Sequence, residues 1–250
     1  MRHVLDQTAH RPFPPPAAPW IMRQRWHDVL FAHWPVDPQQ LRRVLPSALR
    51  PFLDVFEGRA WVGVIPFWMS HVRPRFVPPI PGLSSFPELN VRTYLTIRDK
   101  PGVFFFSLDA ANRSAVLGAR IAFALPYFQA RMSVVDDSPR GRAVRYASER
   151  LEPPMPAEFR GSYGPIGPAY QARPGSIDYF LVERYCLYTT RANTIVRVVI
   201  HHLPWPLQPA EASIERNTVA RADGLSLPTE PPLLHFARTL DVLVWWPERA

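Results

Sequence analysis

Proline is the feature that most restricts this 250-residue chain, which holds 31 prolines against 11 glycines. Each proline removes a backbone N–H and interrupts a helix interior or a central sheet ladder. Long helices are therefore nearly excluded, and many short elements joined by stiff loops are expected. With 47% apolar and 20% charged residues the chain can still bury a proper core. The opening MRHVLDQTAHRPFPPPAAPW is polar and proline-rich and reads as an irregular arm over residues 1–19, ahead of a single domain over 20–250. It has no apolar segment of the secretory type, and no apolar run reaches the roughly 18 residues of a spanning helix. A soluble cytoplasmic protein with no membrane partner is the expectation.

The net charge of +8 raises the question of nucleic acid. The 28 arginines are scattered rather than striped along one element, and there is a single lysine, Lys100. Replacement of Lys by Arg is simplest as a coding bias, and nucleic acid is not expected as a partner. The lone Cys186 excludes an intrachain disulfide and a cysteine-based zinc site. His201 and His202 are strand neighbours and point to opposite faces, while His33, His71 and His235 stand alone in the sequence. A metal needs three or four converging ligands, so none is expected. There is no nucleophile elbow, phosphate loop or dinucleotide fingerprint, hence no cofactor.

From Ile21 the sequence reads as a strand with a bend. Asp37-Pro38 opens a short helix that Pro46 ends. Trp61–Met69 is a strand in which Pro66 implies an edge or a bulge. Glu88–Ile97 has the clearest alternation, and the turn RDKPG returns it as a hairpin through GVFFFSLDA. Lys100 then falls at a wet hairpin tip, where a protonated amine is a poor nucleophile. Ser114 caps a helix to Phe123, Tyr127 starts a strand, and a further strand runs from Arg142 to Arg150. Ser176 and Asp178 open a helix through Tyr185. Strands follow over 194–202, 212–220 and 239–247. The sum is mostly antiparallel β with three short helices, an α+β arrangement in one domain.

One constellation stands out. Glu88, Asn90, Arg92 and Tyr94 share one face of a strand whose other face, Leu89, Val91, Thr93 and Leu95, is apolar. In an open sheet the polar face meets solvent, which pattern alone favours; in a closed barrel it lines a ligand site. Glu88 beside Arg92 also reads as a buried ion pair. His202, in HHLPWPL, either serves as an acid or base near neutral pH or caps a strand end. Glu183-Arg184-Tyr185 reads as a structural ion pair at a helix end. Eight tryptophans and the proline arm could dock a partner, although core packing and a disordered tail are the plainer readings.

Several stretches taken together, FAHWPV, GRAWVGVIPFWM, FPELNVRTYL, GVFFFSLDA, ARIAFALPYFQARM, FLVERYCLYT, HHLPWPL and DVLVWWPERA, resemble the uncharacterised bacterial YqjF-like family. That family is grouped with the acetoacetate decarboxylase-like superfamily. The resemblance runs from about residue 20 to the C-terminus. It implies a mainly β, cone-shaped antiparallel barrel with a few short helices around a central pocket. It also reverses the reading of the Glu88 face, from solvent to pocket. Acetoacetate decarboxylase uses a lysine as Schiff-base nucleophile. In the corresponding stretch here Tyr127 and Phe128 take the two lysine positions, which implies no imine chemistry. Glu88 matches the decarboxylase's strand glutamate. Arg92, Tyr94 and Arg120 join it by pattern and proximity, with Asn90 and His202 as further ligand contacts. The expected function is binding of a small anionic, keto acid-like molecule, with lysine-independent acid–base chemistry at Glu88 and Tyr127. A non-enzymatic sensor or carrier, or a protein-interaction module, is the alternative, and a homo-oligomer remains open.

Overall fold

The bent stretch forms a long strand, β1, Met22–Val36, in the computed structural model, which describes residues 2–136 and 143–250. The bend is a bulge. Pairing with β2, Ala60–Pro74, slips by one residue between His27 and Ala32, and Asp28 sits there at φ 49°. An extra residue in one strand of an antiparallel pair bends that strand. Pro66 lies opposite the slip, so a proline is accommodated although β2 is paired on both sides. Of the two readings of Pro66, bulge and edge, only the bulge is found.

Ahead of β1 the arm is neither wholly irregular nor loose. It contains a short helix, α1, Arg2–Asp6, and it buries Arg11 and Phe13, with Trp20 buried just after it. After β1 comes α2, Pro38–Val44, with Asp37 accepting a hydrogen bond from the Gln39 N–H as its cap. The hairpin pairs β3, Phe86–Ile97, with β4, Lys100–Ala110. Its turn is Arg98-Asp99, both at positive φ, as a two-residue hairpin requires. Lys100 is therefore not the tip; it is the first ladder residue of β4, opposite Ile97.

Helix α3 spans Arg113–Phe123 and is capped by Asn112, not Ser114. The Asn112 carboxamide oxygen accepts the Ala115 N–H at 3.0 Å. Ala124 at φ 53° and Pro126 end the helix, and β5, Tyr127–Asp136, begins. Next come β6, Val144–Arg150, and β7, Glu158–Pro165; Arg142, the expected start of the former, lies outside the described residues. Ser176 caps α4, Ile177–Val182, which stops three residues earlier than expected. The chain closes with β8, Cys186–Arg191, β9, Thr194–His201, β10, Gln208–Asn217, α5, Val219–Ala222, β11, Leu233–Val244, and β12, Glu248–Arg249.

The strand order is β12-β9-β8-β4-β3-β2-β1-β11-β10-β7-β6-β5. Because β9 also pairs with β11, seven strands form a closed hydrogen-bonded ring: β1, β2, β3, β4, β8, β9 and β11. A second ring leaves β4 through a parallel pairing with β5 and returns through β6, β7 and β10 to β11. The two rings share one wall. Its alternating side chains feed two apolar clusters, with Leu89, Val91 and Val64 on one side and Phe31, Phe67 and Phe105 on the other. This is mainly antiparallel β with short helices, as expected, and the only parallel contacts among the described residues are β4 with β5 and β4 with β8.

Candidate functional site

Inside the first ring lies a cavity of about 470 Å³. Its wall is largely apolar: Phe67 and Met69 from β2, Phe86 from β3, Phe105 and Leu108 from β4, Ile200 from β9. Helix α3 covers one side through Ala115, Gly118, Ala119 and Ala122, whose spacing puts them on one helical face. Glu88, Asn90 and Arg92 of β3 point into this cavity, joined by Tyr127 at the start of β5. The alternation of β3 therefore faces an interior, and its polar side is buried.

Glu88 is 4% exposed and accepts a hydrogen bond from the Tyr127 hydroxyl at 2.8 Å. Burial pushes the carboxyl up to about 7, while the Tyr127 hydroxyl and the Asn90 amide pull it back down. The same burial, with Glu88 alongside, drives the Tyr127 phenol well above its ordinary range, so it stays protonated and can donate.

Arg92 lies four residues further along β3 and is buried. Its Nη2 donates to the Leu181 carbonyl at 3.1 Å, and its Nε is buried with no partner. Its guanidinium carbon lies 5.5 Å from the Phe31 ring centroid. Among the described residues it pairs with no carboxylate, so the expected Glu88–Arg92 ion pair does not form. The reason is strand geometry: four residues at ~3.3 Å each put their backbones ~13 Å apart.

Two expected contacts lie elsewhere. Tyr94 follows the same face but is not a cavity wall. It is fully buried behind it, with its hydroxyl 2.5 Å from His33 Nε2. Arg120 sits off the lining face of α3, one residue past Ala119 and so turned away from the cavity. Its Nε donates to the Tyr127 carbonyl at 2.6 Å and its guanidinium pairs with Glu152 near the surface. Arg120 steadies the start of β5 from outside. His202 does line the cavity, beside Trp205. Burial lowers it to about 4, so it is neutral at pH 7 and does not titrate there.

Arg184 is the cavity residue that pattern reading assigned elsewhere. The expected structural pair is present, to Asp54 at 2.8 Å, yet the same side chain also borders the cavity, 5.0 Å from the Tyr94 ring. Its one sequence signal is the point where α4 ends and β8 enters the ring. Phe128 alternates away from Tyr127 and packs on Arg150, 4.2 Å from the guanidinium carbon. Lys100 does not border the cavity; its Nζ lies 5.6 Å from the Phe13 ring. Among the described residues no three metal-ligating side chains converge, and no helix is long and apolar enough to cross a membrane.

Comparison with known proteins places this geometry. The DUF2071 family, described as an uncharacterized conserved protein, matches residues 23–241. The uncharacterized protein YqjF of Bacillus subtilis (strain 168) is 51% identical over 226 residues, covering 90% of this chain and 91% of its own. Among solved structures, acetoacetate decarboxylase from Legionella pneumophila superposes with a TM-score of 0.60 at 13% identity, covering 97% of this chain and 93% of its own. An acetoacetate decarboxylase-like enzyme from Sphingomonas wittichii RW1 gives 0.60 at 15%, covering 97% and 99%. The enduracididine biosynthesis enzyme MppR complexed with pyruvate gives 0.59 at 11%, covering 97% of each. The chain belongs to the DUF2071 family, and its fold is that of the acetoacetate decarboxylase-like proteins.

Proposed function

We propose that the seven-stranded ring is a ligand-holding barrel that binds a small carboxylate, keto acid-like molecule and acts on it by acid–base chemistry without an imine. The observation that carries this reading is Arg92. A buried guanidinium that meets the Leu181 carbonyl and the neutral Tyr94 side chain, with its Nε unpartnered, lacks the counter-charge such a group demands. A ligand carboxylate, taken up through the planar fork, supplies it. That MppR, of the same fold, has been seen with pyruvate supports the ligand class.

Glu88 and Tyr127 supply the chemistry. A carboxyl poised at about 7 is half ionised near neutral pH, which suits a general base. It would take a proton from the carbon next to a carbonyl, and the Tyr127 hydroxyl would turn from Glu88 to the developing enolate oxygen. Enolisation, hydration and non-covalent decarboxylation are the reactions open to such a pair. A phenol cannot form an imine, and the ammonium of Lys100 packs on Phe13.

Calorimetric titration with pyruvate and acetoacetate tests the reading. Binding is expected, and Arg92→Ala should weaken it roughly tenfold to a hundredfold. Unchanged affinity in that variant would remove the role of Arg92. Borohydride added with acetoacetate should leave the mass of the protein unchanged; a covalent adduct would overturn the imine-free chemistry. Binding retained with no turnover across keto acids would make the pocket a carrier site instead.

A further inference from the structure

The cavity is larger and more apolar than a three- or four-carbon keto acid needs. At about 470 Å³ it falls in the range of pockets that bury drug-sized ligands, ~300–1,000 Å³. A pyruvate held at Arg92 would leave Phe67, Met69, Phe105, Leu108 and Ile200 facing water, surface that gains by being covered with an apolar group. Helix α3 borders the space with the small side chains of Ala115 and Ala119, which pack against the same apolar cluster, while Phe123 closes its C-terminal end and Gly118 lies exposed at the rim. Along β3 the order is Arg92, Asn90, Glu88, Phe86, so the unpaired cation stands at one end of the row and an apolar ring at the other.

From this we infer that the ligand is an amphipathic carboxylic acid of about eight to ten carbons. Its carboxylate lies at Arg92 and its apolar body runs along β2, β4 and α3 past Glu88. The inference rests on the ligand reading above and narrows it. Asn90 has a buried Oδ1 with no partner, which offers an acceptor to a hydroxyl or enol on the ligand partway along. The added length lets the body of the molecule run past the Glu88–Tyr127 pair while its carboxylate stays at Arg92, all three side chains bordering the same cavity.

The test is calorimetric titration of the full-length protein with straight-chain acids of four, six, eight and ten carbons, beside pyruvate and acetoacetate. Affinity is expected to rise about threefold to fourfold with each methylene until the chain fills the cavity. Ala119→Leu, which adds volume on the lining face of α3 and also suits a helix, should move the optimum to acids shorter by several carbons. Arg92→Ala should weaken the whole series. If pyruvate or acetoacetate binds as tightly as the eight- and ten-carbon acids, or if Ala119→Leu leaves the length profile unchanged, the long-ligand inference is wrong while the carboxylate site stands. If no acid of any length binds, both readings fall together.

Discussion

At the scale of single residues, Glu88 gives the sharpest expectation. Its folded carboxyl titrates at about 7 against an ordinary 4.5. The folded protein thus holds this proton more tightly than the unfolded chain does. The associated stability is complete below pH ~4.5 and is lost as the pH rises through ~7. Glu88→Gln removes that loss, so the variant should exceed the parent in stability at pH 8 by on the order of 3 kcal/mol and match it near pH 4. Denaturant titrations at the two pH values measure this, and an equal change at both would show that Glu88 is not the titrating group. The residue was legible because one strand alternates cleanly. Arg120 was misplaced because chain proximity to Tyr127 says nothing about which helical face a residue occupies. Arg184 was underrated because Glu183-Arg184-Tyr185 at a helix end reads as a structural ion pair; the pair is there, to Asp54, and the same side chain borders the cavity as well.

At the scale of elements, caps and turns repay attention. From the sequence, the cap of α3 is expected at Ser114, which lies one residue inside a helix that starts at Arg113. The structure selects Asn112, which accepts from Ala115 N–H and also donates to the Leu83 carbonyl at 2.9 Å. Asn112→Ala should cost about 1 kcal/mol, whereas Ser114→Ala should stay within about 0.5 kcal/mol. Thermal unfolding of the two variants separates them. Strands with strong alternation or an unambiguous turn were readable. β7 was not, because EFRGSYGP carries two glycines and a proline. A Cβ at Gly161 would meet the Ser213 carbonyl oxygen at 2.6 Å, so that glycine is fixed by close backbone approach from β10, which periodicity does not register. β8 was missed because it is short and its burial, half of six residues, follows no clean alternation. The helix expected through Tyr185 stops at Val182, where Glu183 leaves helical geometry and its carboxylate accepts the Trp205 N–H.

At the scale of the whole molecule, the weak point is the seam that closes the first ring. β9 and β11 share only the pairs His201–Leu243 and Ile200–Val244. The N-terminal arm fastens that seam. Arg11 donates to the Ile200 carbonyl at 2.8 Å and lies 3.0 Å from His201 Nδ1, and the Trp245 indole donates to the Ala18 carbonyl at 2.6 Å. Removal of residues 1–19 should lower the melting temperature and raise amide exchange at Ile200 and Val244 first. Arg11→Ala alone should cost about 1–3 kcal/mol, since it leaves buried acceptors unpaired. Exchange at the seam that is no faster than in the parent would show the arm to be an appendage.

The sequence alone determined the composition of the elements: proline density ruled out long helices, and alternation marked β3. These are local properties, carried by dihedral limits and side-chain period. Only the tertiary structure decided that the polar face of β3 looks inward. That depends on β9 meeting β11, a contact between residues some forty positions apart. Until that seam closes, Glu88 and Arg92 lie on an open sheet in water. Once it closes, desolvation raises the carboxyl and leaves the guanidinium buried with its Nε unpartnered.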